Sequence, residues 1–244
     1  MASRNELRTW LRSDLGRSLL DQEQAALVEP LEDVFGLHLM QVGEWGEDLR
    51  LAGAARVQSK SLWAGEARPG VAVCCDPAML PTRSDSVDAV LLPHTLEFVP
   101  DAYALLRELD RVLVAEGQLI VLGFNVLGSW SWRHRLSQGG FPPGMQRLLR
   151  EGRVRDWFAL LGFEVVLAKR YLFAPPFARL QSGRGRGFFS ALAWLAPPLF
   201  ASGYLLKARK RVYAAPRPRL RWRDRRRLVS SVPEPTARVS RERS

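Results

Sequence analysis

The stretch from Asp85 to Asn125 constrains the chain most. Val87 to Leu92 is a short, nearly continuous apolar run, the form of a strand buried on both faces. Asp101 follows Pro100 where a helix N-cap belongs, its carboxylate placed to accept an orphan backbone N–H. Ala102, Leu105, Leu106, Leu109, Val112 and Leu113 then recur at helical spacing, and Arg107, Glu108, Asp110 and Arg111 fill the opposite face. The pattern ends this helix at Gly117 and makes Leu119 to Phe124 a second buried strand. Strand, helix and strand in that order form a parallel βαβ unit with a right-handed crossover.

The block PTRSDSVDAVLLPHTLEFVPDAYALLRELDRVLVAEGQLIVLGF resembles the centre of class I S-adenosylmethionine-dependent methyltransferases of the type-11 kind. Those proteins carry "S-x-D-x-V", then "H-x-L-E", then "L-R-E-x-x-R-V-L-x-x-G-G". The continuation GFNVLGSWSWRHRL is similar to a narrower proteobacterial branch reading "G-F-N-P-x-S-x-W-G-x-R", with Val126 in place of its proline. The resemblance implies an α/β, Rossmann-like sheet of seven strands, mostly parallel with the last antiparallel, and helices on both faces. It also implies S-adenosyl-L-methionine as cofactor.

Carried onto this chain, the resemblance makes Leu37 to Val42 the first strand and Gly43 to Gly46 the cofactor turn. Glycine is needed there because the chain turns sharply and its backbone must approach the ligand. Gln41 stands where the family has an acid, and Trp45 separates the two glycines. Ala54 to Ser59 is the candidate second strand, whose end in the family carries an acid that grips the ribose hydroxyls. Here that place reads QSKS, leaving Gln58 or Ser59 as neutral partners unless Glu66 reaches in from a loop. Val71 to Cys75 is the third strand, with Cys74 and Cys75 read as core packing. Asp76 matches the acid that accepts from the adenine amino group, with Pro77 beside it in the cofactor site; Asp before Pro is also a common turn starter. His94, just past the fourth strand, lies where an open α/β sheet collects ligands. It is a candidate catalytic and cofactor-site residue, either a general base on the acceptor or a side chain that lines or braces the loop. Glu97 reads as a brace for the following turn.

Residues 5 to 29 read as helical, with an interrupted stripe of Leu7, Trp10, Leu11, Leu19, Leu20, Ala26 and Leu27. TWLRSDLGRSLLDQE again resembles the narrower branch, whose opening helix closes over the cofactor pocket or caps the sheet. Trp130, Trp132 and Arg133 lie past the fifth strand, placed to stack on an acceptor or to anchor a long loop. Residues 144 to 162 read as a helix burying Val154, Trp157, Phe158 and Leu161, and Phe163 to Leu167 as a strand. Phe188 to Leu206 has no charge, but Pro197-Pro198 at its middle disfavours a membrane span. The family pattern instead ends in an antiparallel strand, Gly203 to Lys210.

Charge separates the last segment from the rest. The chain has 244 residues and a formal charge of +11, and Lys207 to Ser244 hold fourteen Lys or Arg against three acids. Residues 1–206 are therefore neutral overall. Such a tail suits nucleic acid or an anionic membrane surface, or is only solubilising. The domain reading is a helical cap over residues 1–36, a methyltransferase-like domain over 37–212 and a basic, disordered tail over 213–244. Two adjacent cysteines offer neither a disulfide framework nor metal-ligand spacing, and the N-terminus lacks a signal-peptide apolar core; a cytoplasmic protein without a metal is expected. The function implied is methyl transfer to an unidentified, small-molecule acceptor. The alternatives are a non-catalytic binding or regulatory module of the same fold, and a nucleic-acid-associated methyltransferase using the tail.

Overall fold

The computed structural model describes residues 3–46, 49–137, 140–171 and 201–211. Helices α1 (Ser3–Leu11) and α2 (Asp14–Glu32) lead into β1 (Phe35–Val42), a short 3-10 turn (Arg50–Ala52), β2 (Arg56–Ala64) and β3 (Val71–Cys74). Then come β4 (Val87–Pro93), α3 (Thr95–Phe98), α4 (Ala102–Val112), β5 (Leu113–Phe124), α5 (Ser129–Leu136), α6 (Glu151–Leu160), β6 (Phe163–Tyr171) and β7 (Gly203–Lys210). The basic tail and residues 172–200, which include most of the charge-free stretch, lie outside the described residues. Among those described, no helix is long and apolar enough to cross a membrane.

The seven strands form one sheet in the order β3-β2-β1-β4-β5-β7-β6. β3 to β5 pair in parallel, while β7 runs antiparallel between β5 and β6. The expected seven-stranded, Rossmann-like sheet is present. Alternation along the central strands sends side chains to two cores. Leu39, Leu91, Ile120 and Leu122 meet Leu19, Leu27 and Leu31 of α2, and Met40, Val90, Leu92 and Val121 meet Leu105, Leu109, Val154 and Phe158 of α4 and α6. The strand order reverses between β1 and β4, which opens a crevice at their C-terminal ends.

Asp101 is the cap of α4, accepting from the N–H groups of Tyr103 and Ala104 at 3.0 and 2.9 Å. The end of that helix differs from expectation. Leu113 pairs with Val87 at once, so α4 stops at Val112 without a glycine. Gly117 lies inside β5, where the pairing shifts register and Glu116 takes a left-handed φ of 63°. The N-terminal helix is likewise two helices. Ser13 breaks it and caps α2, its Oγ accepting from the Gly16 N–H at 3.2 Å. A Cβ on Gly16 would stand 2.4 Å from the Trp10 carbonyl oxygen and 2.5 Å from the Leu11 Cα, so glycine permits the tight corner.

Three further expectations are corrected. β2 spans Arg56 to Ala64 rather than 54 to 59, so Gln58 and Ser59 sit within the strand. Residues 145–150 are not helical, and α6 begins only at Glu151. Cys74 is exposed and Cys75 half-buried, because β3 is an edge strand and cannot enclose both of its faces. The Gly16 corner gives a stability test. Gly16→Ala should cost about 1–3 kcal/mol in urea unfolding, since backbone must move to admit the methyl. Gly152→Ala, on α6 with nothing within 4 Å, should instead stabilise by about 0.4–1 kcal/mol.

Candidate cofactor cleft

The crevice at the strand ends is a cleft of about 140 Å³ lined by Gly43, Glu44, Trp45, Gly65, Pro77, Pro93, Thr95, Phe98 and, from α1, Leu7. Its floor is the start of the turn after β1, where Gly43 has φ 107°, whereas Gly46, with φ 85°, lines a separate groove with Leu11, Leu20 and Leu51. Gly43 is held against β2 by its N–H to the Trp63 carbonyl at 2.9 Å. A Cβ on it would lie 2.4 Å from the Thr95 Oγ1, which donates to the Val42 carbonyl at 2.5 Å. Glycine at 43 therefore lets the β1 turn and the β4–α3 junction close on each other.

Trp45, between the two glycines, is 2% exposed because its ring turns inward. It lies 4.4 Å from the His94 ring, 5.8 Å from Phe98 and 5.9 Å from Phe124, centroid to centroid. Its indole N–H donates to the Glu23 carboxylate at 2.6 Å. A bulky residue is tolerated in the turn because it spans into the core toward α2.

His94 sits directly beneath. It has φ 55° and no exposed surface, so it faces neither solvent nor an open acceptor side. Nε2 bonds Glu23 at 2.8 Å and Nδ1 bonds Glu97 at 2.8 Å. The Tyr171 hydroxyl is 3.3 Å from the same Nε2. Burial alone would push the imidazole down, but Glu23 and Glu97 outweigh it and raise His94 to about 9. The ring is an imidazolium donating to two carboxylates. Glu97, raised chiefly by its burial, also accepts from the Phe124 N–H at 2.6 Å, so its side chain ties His94 to the end of β5 rather than bracing the turn that follows it.

Of the other expected cofactor residues, Pro77 lines the cleft. Asp76 is exposed at the end of β3, where its Oδ1 accepts from the Ala78 N–H at 2.9 Å. Glu66 gains importance from the corrected strand, because it follows the true end of β2 by two residues. Arg8 of α1 joins Glu66 to the turn, its Nη2 lying 2.5 Å from Glu44 and 3.0 Å from Glu66. Among the described residues, no group of three or more His, Cys, Asp or Glu could hold a metal ion.

The residues suit S-adenosyl-L-methionine in kind, with a glycine turn, a carboxylate after β2 and another after β3. The cleft, with Leu7 of α1 on its wall, is well below the about 300–1,000 Å³ of a ligand pocket. Trp130 anchors the loop after β5, 5.7 Å from Phe124 and nearly parallel to it, while Trp132 is exposed. Glu23, Arg8 and Tyr171 were not singled out from the sequence. For Glu23 a signal existed, since it stands between Leu19 and Leu27 at helical spacing on a buried stripe.

Residues 45–121 match a family model described as a methyltransferase domain, so the resemblance read from the central block is borne out. The chain is 34% identical over 143 residues to the uncharacterized protein YafS of Escherichia coli, covering 58% of this chain and 59% of YafS. It is 32% identical over 174 residues to an uncharacterized Mycobacterium tuberculosis protein, covering 68% and 60%. The chain thus spans about three-fifths of these relatives. A SAM-dependent methyltransferase from Thermotoga maritima superposes with TM-score 0.60 at 20% identity, covering 85% of this chain and 96% of that one. Geranyl diphosphate methyltransferase in complex with SAM gives 0.56 at 16%, covering 80% and 87%. So does the cyclase SpnF, at 18% identity, 83% and 84% coverage and TM-score 0.56. These likenesses establish the fold, and a fold does not fix a reaction.

The buried imidazolium makes stability depend on pH. Its value of about 9 lies above the unfolded 6.5, so its contribution is full below pH 6.5 and is lost as pH rises through 9. Wild-type unfolding free energy should fall by a few kcal/mol between pH 6.5 and 9.5, and that of His94→Gln should fall less. Parallel profiles for the two proteins would remove the charged network.

Proposed function

We propose that this chain is an S-adenosyl-L-methionine-dependent methyltransferase acting on a small-molecule acceptor. The observation that supports it most is Glu66, an acid two residues past the corrected end of β2, which would serve as the ribose-gripping carboxylate. Asp76 would accept from the adenine amino group and Pro77 would pack beside it. Gly43 would let the backbone approach the amino-acid end.

When bound, the cofactor supplies a methyl group already activated on a sulfonium. Transfer then depends mainly on in-line positioning and a dry site. Leu7, Pro93, Phe98 and Val99 give the cleft apolar walls, and Glu44 is the titratable side chain among its described lining. His94, with both ring nitrogens engaged and no exposed surface, acts as a positioning residue that fixes the turn through Glu23 and Trp45.

Arg8 supports a second reading, a binding or regulatory module without turnover. Its contact with Glu66 occupies a carboxylate that the ribose would need. In the catalytic reading α1 moves and Arg8 leaves Glu66, which is 45% exposed, more readily than Glu44, which is 10% exposed.

Calorimetric titration with S-adenosyl-L-methionine separates the two. Asp76→Ala and Glu66→Ala should each weaken binding about tenfold or more, the cost of losing a charged hydrogen-bond partner. Arg8→Ala should tighten it about two- to fivefold, the worth of a partly exposed ion pair. No binding by either wild type or Arg8→Ala at millimolar cofactor would sink the enzyme reading. Binding with turnover of no acceptor would leave the module.

A further inference from the structure

The sheet order separates the two ends of the cleft. β3 and β4 stand three places apart in the series β3-β2-β1-β4, about 14 Å at the usual strand spacing. Pro77 follows β3, so the proposed adenine end lies on that side, while Phe98 and Val99, just past β4, mark the other. A segment beyond α5 also reaches this far end. Gly144, with φ 82°, turns the chain there, and Gln146 joins the lining.

That segment is fastened to the cleft wall. The N–H groups of Gln146 and Arg147 both donate to the Glu97 carbonyl, at 3.0 and 3.3 Å. The Arg147 guanidinium donates to the Pro100 carbonyl. Phe141 is buried, 5.3 Å from Trp10 of α1 and 5.5 Å from Trp130, centroid to centroid. The backbone at Gln146 is therefore fixed, while the residue itself is exposed at the mouth of the cleft.

The polar side chains of the lining differ in what they have left to offer. Thr95 Oγ1 donates to the Val42 carbonyl, the Trp45 indole N–H donates to Glu23, and the Glu44 carboxylate is paired with Arg8. The Gln146 side-chain amide makes no hydrogen bond among the described residues. It carries donors and an acceptor but no charge. Beside it Leu7, Phe98 and Val99 are apolar, and the described lining contains no cation. An anionic acceptor would lose water there without finding a countercharge, and a cationic one would meet a carboxylate already paired.

We propose, on the methyltransferase reading of the cleft, that Gln146 selects the acceptor, an uncharged and mainly apolar molecule whose hydroxyl group bonds the Gln146 amide. A hydroxyl both donates and accepts, as the amide does, so the two match without any charge being buried.

The test follows 1-hexanol, hexanoate and hexylamine by chemical-shift titration of the isotope-labelled full chain. 1-Hexanol should shift the Gly144 and Gln146 amide signals. It should bind at least about tenfold more tightly than either charged probe, since neither charge finds a partner in the cleft. Gln146→Leu, at an exposed position without a side-chain hydrogen bond, should weaken 1-hexanol about three- to tenfold, the worth of one hydrogen bond. Gln146→Lys should reverse the order and favour hexanoate. Equal affinity of wild type and Gln146→Leu for 1-hexanol overturns the proposal, as does tighter binding of a charged probe by wild type. Calorimetry with S-adenosyl-L-methionine keeps the two readings apart, and Gln146→Leu should bind it as wild type does. Cofactor binding with no preference among the probes would sink the acceptor assignment alone. A Gln146-dependent preference for 1-hexanol without cofactor binding would uphold the selection and sink methyl transfer.

Discussion

One buried charge network ties the N-terminal helices to the sheet and to the turn that forms the cleft. His94 stands between Glu23 of α2 and Glu97 of α3, Glu23 also holds the Trp45 indole, Glu97 holds the backbone of β5, and Tyr171 of β6 closes the set. Ionised groups taken out of water cost free energy, and a hydrophobic replacement of similar shape is often as stable. Such a network is better understood as fixing one arrangement than as adding stability. Any rotation of α2 or slip of the turn would leave a charge or a donor unpaired in a dry interior, which the core cannot tolerate.

The same arrangement explains how a turn with a tryptophan at its centre keeps its shape. A third glycine, in place of Trp45, would leave the turn without the anchor that the indole gives it on the core side. α1 is joined to the cleft rim through Arg8, whose ion pairs are partly exposed and individually weak. The floor of the cleft is thus fixed by buried charge, and its cover is held by the packing of Leu7, Trp10 and Leu11 as well as by ion pairs.

The framework was legible because buried parallel strands leave long apolar runs and α4 carries its own cap and stripe. Asp101 and the Val87 strand stand where the pattern put them, and the antiparallel Gly203–Lys210 strand where the family resemblance put it. Boundaries governed by pairing were not legible. β2 runs on through Ser61, Leu62 and Trp63 because β1 offers partners that far. Gly117 looked like a helix stop, yet strand pairing ended the helix first. The His94 network was hidden for a different reason. Its members lie on four separate segments, and no local period relates residue 23 to residue 94 or 171. Only Glu23, an acid on a leucine stripe, left a trace.

That spacing has a consequence for how the chain is made. Glu23 leaves the ribosome 71 residues ahead of His94, and Tyr171 follows His94 by another 77. Until β4 has emerged, α2 carries a carboxylate on the face that must later be sealed, with no imidazolium to meet it. α2 is thus made well before the groups that lock it in place, so it must wait for the middle of the chain rather than template it.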